Sequence, residues 1–132
     1  EHIRQALMDS SVDRLEHGTN IVEDPSLVAY IKEKKIGLTC CPVSNSFVVD
    51  DMKGKEILEL LHQGIQETVN SDDPAYFQSY ISDDLYSLAE AYELSREDVI
   101  QIVKNAFSIS WISEDKKNGY LKMVDEYVAS FE

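Results

Sequence analysis

Residues 12–45 read VDRLEHGTNIVEDPSLVAYIKEKKIGLTCCPVSN, and the order of signals along this stretch decides the fold. Val12 to Glu16 is a short strand-like run that stops at the polar tetrad His17-Gly18-Thr19-Asn20. Asp24 then offers a side-chain cap, and Pro25 suits the first turn of a helix. Leu27, Val28 and Ile31 fall on one face of that helix, and the basic residues from Lys32 to Lys35 suit the negative end of its dipole. A second strand, Ile36 to Cys41, stops at Pro42-Val43-Ser44-Asn45. Strand, helix and strand at this spacing form a βαβ unit, which requires a parallel pair of strands covered by the helix.

The same alternation continues on both sides. A helix is expected from Ile3 to Ser10, and another from Lys53 to Gln63, carrying Ile57, Leu58, Leu60 and Leu61 and ending at Gly64. A third strand, Ile65 to Val69, runs into Asn70-Ser71-Asp72-Asp73-Pro74. After Pro74 the character changes. Ser82 opens a helix to about Ala91, and Ser95-Arg96-Glu97-Asp98 resembles a capping box for a helix reaching about Ile112. A last helix runs from Ser113 toward Phe131, with Tyr120, Met123, Val124, Tyr127 and Val128 as its apolar face. The expected fold is α/β, with about three parallel strands followed by helices that close over the sheet. The chain reads as a single region, with βα units over 1–74 and mainly helices over 75–132.

Composition narrows the function. The chain has 132 residues, 43% of them hydrophobic, enough to build a core. Twelve basic against 25 acidic residues leave a net charge of −13, which disfavours nucleic acid and anionic membrane as partners. No apolar run approaches the roughly 18–20 residues that span a bilayer, and the first ten residues lack the pattern of a secretory leader. The only cysteines, Cys40 and Cys41, are neighbours, too cramped for a routine disulfide and too few for a structural zinc cluster. A reducing, cytoplasmic setting is the expectation.

Each expected strand ends in a polar cluster: Glu16-His17-Gly18, Pro42-Val43-Ser44-Asn45 and Asn70-Ser71-Asp72-Asp73. The carboxyl edge of a parallel sheet is where ligands bind, so the three clusters are expected to meet. His17 offers an imidazole that titrates near neutrality, Asp72 a hard metal ligand, and Asp73 a second carboxylate to orient a substrate. Plainer roles exist for each. Asp73 before Pro74 is an ordinary helix cap, a lone His beside a turn is commonly a surface residue, Ser44-Asn45 can simply shape a turn, and Cys41 is better read as packing than as reactive. His2 and His62 lie on expected helices away from this edge and receive no role.

VDRLEHGTN, IVEDPSLVAYIKEKKIGLTCCPVSN and TVNSDDPAYF, in this order and spacing, resemble the C-terminal half of the adenosine and adenine deaminases, zinc hydrolases built on a (β/α)8 TIM barrel. NSDDPAYF and the acid before His17-Gly18 are more similar to the adenine deaminase branch. The match is uneven: Glu16 stands where that branch typically carries Asp, Gln78-Ser79 where it favours two glycines, and Gly54-Lys55 where a His-Pro pair is common.

The resemblance implies that Asp72 is a zinc ligand, Asp73 hydrogen-bonds a ring nitrogen of the purine, and His17 stabilises the attacking hydroxide. The reaction implied is hydrolysis of adenine to hypoxanthine and ammonia, or of adenosine to inosine. The family's His-X-His pair, its further His and its proton-shuttling Glu have no counterpart here, and Glu1, a few residues beyond the shuttle position, is given no role. The 132 residues alone are therefore expected to be inactive and, as part of a closed barrel, to self-associate. The rival reading is a non-catalytic half-barrel that serves binding or oligomerisation.

Overall fold

In the computed structural model, which describes residues 2–131, the chain runs α1 (His2–Ser10), β1 (Arg14–Glu16), a 3-10 turn (Thr19–Glu23), α2 (Pro25–Lys34) and β2 (Gly37–Cys40). It continues through α3 (Pro42–Val49), α4 (Gly54–His62), β3 (Glu67–Val69), α5 (Pro74–Phe77), α6 (Ile81–Tyr92), α7 (Arg96–Ser108) and α8 (Glu114–Ala129). Glu1 lies outside the described residues.

The strands form one parallel sheet in the order β1-β2-β3. Glu16 pairs with Thr39, and Thr39 with Thr68, so these three residues line one face; Leu38 pairs with Leu15 and Glu67 on the other. The ladder continues past the strand ends, where His17 N donates to Thr39 O (2.7 Å) and Asn70 N to Cys40 O (2.8 Å).

Helix α2 begins as its sequence dictates. The Asp24 carboxylate accepts from the Ser26 and Leu27 amides, and Lys35 closes the helix in a left-handed conformation. Arg4 of α1 reaches the same carboxylate at 2.6 Å, which ties α1 to the start of α2. Ile31 of α2, Leu38 of β2, Ile57 and Leu60 of α4 and Leu88 of α6 are all fully buried, and Ile102 of α7 nearly so. This apolar layer lies between the helices and the Leu38 face of the sheet. Removing such side chains from water supplies most of the drive to fold, about 1.5–3 kcal/mol for each large one.

Three expectations change. Pro42-Val43-Ser44-Asn45 opens helix α3, with Pro42 in its first turn, rather than forming a turn. The hydrogen-bonded strands are shorter than the apolar runs: Ile36 and Ile65 are buried but precede β2 and β3. Helices α6 and α7 pack against β3, whereas α8 lies along α7 and has no fully buried residue. The expected apolar face of α8 meets α7 instead, with Phe107 and Tyr120 stacked at 5.0 Å between ring centres. A glycine is needed at Gly37, where a Cβ would stand 2.7 Å from Ile109, just beyond α7.

Candidate active site

Parallel strands deliver their carboxyl ends to one edge, and the three polar clusters meet there. His17 follows β1 directly, Cys41 follows β2, and α3 turns Ser44 and Asn45 back over the edge. Asp72 stands three residues beyond β3.

The contacts are specific. Ser44 Oγ lies 2.7 Å from Asp72 Oδ2, and His17 Nδ1 lies 3.0 Å from Asn45 Oδ1. Asn45 Nδ2 donates to Met52 O (3.5 Å), which presents the amide oxygen to the imidazole. The neutral ring therefore carries its proton on Nδ1, and Nε2 keeps a lone pair, 3.9 Å from Asp72 Oδ2. The side chains of His17 and Asp72 are 43% and 44% exposed, open enough for a small molecule to reach both.

The backbone is bent to achieve this. His17 has φ 60° and Asp72 φ 58°, both in the left-handed region that side chains rarely enter. Among the other side-chain residues in that conformation, Lys35, Asp50, Gln78 and Glu93 close helices, Ser11 follows α1 and Lys53 precedes α4. Unfavoured backbone held where polar groups converge is a recurrent mark of functional sites.

Asp73 is placed differently. It caps α5, its Oδ1 accepting from the Tyr76 amide at 3.1 Å, and it is exposed. Oδ2 has no partner among the described residues. The structure thus joins His17 and Asp72 and leaves Asp73 beside them as a cap. His62, given no role, pairs with Asp98 at 2.8 Å away from this edge.

Cys41 enters the site although it was not singled out for it, and the buried Asp84 acts on it through its charge. Cys41 is buried, and its Sγ forms a set with a ring nitrogen of His17 and a carboxylate oxygen of Asp72, all within 4.8 Å of one another. Burial first, and then the carboxylates of Asp72, Glu16 and Asp84, push its thiol up to about 12. The signal for Cys41 was its parity: Cys40 faces the helices, so its neighbour turns away from them. Asp84, at the start of α6, is fully buried with Oδ2 accepting from Ser79 Oγ at 2.8 Å. Nothing local in the sequence marks it, because its burial arises from α6 packing on α3.

Imidazole nitrogen, thiol sulfur and carboxylate oxygen are all donors that zinc accepts. A tetrahedral ion with bonds of about 2.0–2.3 Å needs its donor atoms roughly 3.3–3.8 Å apart, so a small contraction of the cluster accommodates it. The residues present fit a divalent ion of this kind.

The adenosine deaminase family model matches residues 1–127. An uncharacterized deaminase of Schizosaccharomyces pombe is 39% identical over 99% of this chain and 39% of its own length. An adenine deaminase of Sphingopyxis alaskensis is 39% identical over 96% of this chain and 38% of its own. Among solved structures, the adenine deaminase of Arthrobacter aurescens superposes with a TM-score of 0.88 at 33% identity, covering 97% of this chain and 40% of that one. A Burkholderia ambifaria amidohydrolase with bound zinc shares the fold at 21% identity, with a TM-score of 0.79 over 97% of this chain and 38% of its own. The chain thus spans about two-fifths of the length of these relatives.

Proposed function

The chain belongs to the adenosine deaminase family, and from that premise we propose that it forms part of a zinc-dependent purine deaminase acting on adenine, with adenosine as the alternative substrate. The observation that carries this reading is the contact of His17 and Asp72 across the carboxyl edge of the sheet, with Asn45 and Ser44 holding one each. Adenine is favoured by the NSDDPAYF motif and by relatives named adenine deaminases that are 38–40% identical.

Asp72 would be the ligand that this chain gives to zinc, and Ser44 Oγ orients it by donating to Oδ2. Zinc, when bound, supplies activation of water at neutral pH. His17 Nε2 faces the same space and would accept a hydrogen bond from the attacking water, while Asn45 keeps the proton on Nδ1. Oδ2 of Asp73 is the free acceptor that would receive a protonated ring nitrogen of the purine. Water adds at the carbon bearing the amino group, and ammonia leaves. Two free thiols suit a reducing, cytoplasmic setting.

By the family resemblance, the remaining zinc ligands and the shuttle Glu come from outside this sequence, and the 132 residues alone turn over no purine. The test is ammonia release from adenine and from adenosine by a zinc-loaded full-length protein carrying this sequence. Asp72→Asn should lower zinc content and rate together, the rate by more than about 100-fold. Activity on neither purine overturns the proposal. The second reading, a half-barrel binding or oligomerisation module, draws on the outer edges of β1 and β3, which have no strand partner among the described residues.

A further inference from the structure

Helix α3 delivers both residues that hold the site, Ser44 to Asp72 and Asn45 to His17, yet it has little of its own to fix it in place. Cys41 stands at its N-cap position, where its side chain makes no capping bond to a described residue. The first amides of a helix lack partners within it and need acceptors from elsewhere. At the other end, Phe47, Val48 and Val49 are exposed. The helix packs chiefly on α6.

Helix α6 brings a carboxylate to that contact. Asp84, in its first turn, is fully buried, and its Oδ2 accepts from the buried Ser79 Oγ at 2.8 Å. Oδ1 has no hydrogen-bond partner among the described residues. The amide of Val43, in the first turn of α3, faces the same carboxylate: burial raises the Asp84 pKa, and the Ser79 hydroxyl and then the Val43 amide lower it. Helix α6 does not need Asp84 for its own start, because Asp83 Oδ2 already accepts from the Tyr80 amide at 3.0 Å. A buried carboxylate is costly to keep. Set against the start of another helix, it faces an orphan amide and the positive end of that helix dipole.

We propose that Asp84 is a positioning residue, which anchors the first turn of α3 from α6 and so fixes where Ser44 and Asn45 hold Asp72 and His17. Its effect on rate rests on the proposed deaminase reading, whereas the anchoring stands on the packing of α6 against α3. Ser44 and Asn45 directly follow Val43, so a slide of that turn moves both contacts together. Those contacts span 2.7 Å and 3.0 Å, and a shift of about 1 Å carries either beyond hydrogen-bond length. Asn45 then no longer keeps the imidazole proton on Nδ1, and Asp72 turns freely.

The test uses the zinc-loaded full-length protein carrying this sequence, with nitrogen NMR of isotope-labelled histidine in mildly alkaline buffer. The His17 signals are assigned by their loss in His17→Gln. The parent should show the Nδ1–H tautomer. Asp84→Ala should mix the tautomers and lower kcat about 10- to 100-fold with a smaller change in KM. Asp84→Asn, which keeps an acceptor oxygen and the shape of the side chain, should retain the parent's tautomer and kcat. Ser79→Ala frees the carboxylate to turn from α3 and should mix the tautomers to a smaller degree; it decides the matter if Asp84→Ala does not fold, and parent-like signals in it then overturn the proposal. A parent-like tautomer and kcat in Asp84→Ala would overturn it, as would a fall in kcat with the His17 signals and zinc content unchanged. Asp84→Asn as impaired as Asp84→Ala would assign the effect to charge and overturn the anchoring too. Should the parent release ammonia from neither purine, the deaminase reading fails by itself, and the His17 signals alone decide the role of Asp84.

Discussion

At the scale of single residues, the site depends on side chains whose partners are far away in sequence. Asn45 is 28 positions from His17, yet its Oδ1 accepts from the imidazole Nδ1. Removing that acceptor leaves the ring free to rotate and to exchange tautomers, so Asn45→Ala in an active full-length enzyme should lower kcat about 10- to 100-fold with a smaller change in KM. Unchanged kcat would remove Asn45 from the positioning role. Glu67 poses a different problem. It is fully buried, its Oε2 has no partner, and burial raises its pKa well above the usual carboxylate range. In the unfolded chain the same group ionises near pH 4.5, so between that pH and the folded value unfolding releases a proton. Its contribution to stability is therefore complete at low pH and is lost as pH rises. Glu67→Gln should gain on the parent as pH increases from about 5 to 8, by at most about 1.4 kcal/mol per pH unit, in urea denaturation followed across that range. Parallel pH dependence of parent and variant would show that Glu67 is ionised when folded. Asp73 was legible from Asp-Pro alone as a cap, because a cap is made within four residues, and the structure shows that cap. Cys41 was legible only in its direction, opposite to Cys40 along the strand, and Asp84 not at all, because their environments come from other elements.

Among the elements, α2 and its flanking strands followed from local chemistry: the Asp24 cap, Pro25 in the first turn, and β-type runs on either side. Helix α3 did not. Its residues, Pro42 to Val49, include three β-branched valines, and Phe47, Val48 and Val49 remain exposed, so neither helix preference nor an amphipathic stripe announces it. Its place over the edge comes from packing on α6. The start of α4 shows a compensation of the same origin. Gly54 opens that helix, and a Cβ there would stand 2.3 Å from the Tyr92 ring on α6. Gly54→Ala should therefore destabilise by about 1–3 kcal/mol, since the ring must move out of a position where its hydroxyl reaches Asp51. Thermal unfolding of the variant checks this, and an unchanged midpoint would mean the ring relocates freely. Gln78, the residue closing α5, sits at φ 52°. The resemblance puts glycine at this position in the adenine deaminase branch, which is the residue such a backbone favours.

For the whole molecule, three parallel strands form an open sheet with two unpaired outer edges among the described residues. Exposed Phe47, Trp111, Tyr127 and Phe131 add apolar surface. Edges and apolar surface of this kind pair with other chains, so the 132-residue chain should self-associate, with an average mass in light scattering that rises across micromolar concentrations. A monomer at every concentration would count against that expectation and against the module reading. The sequence by itself determined the alternation of strands and helices, the parallel sheet and the edge where His17 and Asp72 lie, because each is written in short-range periodicity, caps and turn residues. The resemblance to deaminases rested on three motifs that follow one another along the chain. Only the tertiary structure decided that Ser44 and Asn45 hold the two site residues, that Cys41 joins them, and that Asp84 and Glu67 are buried carboxyls. Those are contacts between residues tens of positions apart, produced when helices dock on a sheet, and no local signal encodes the distance between two side chains that packing brings together.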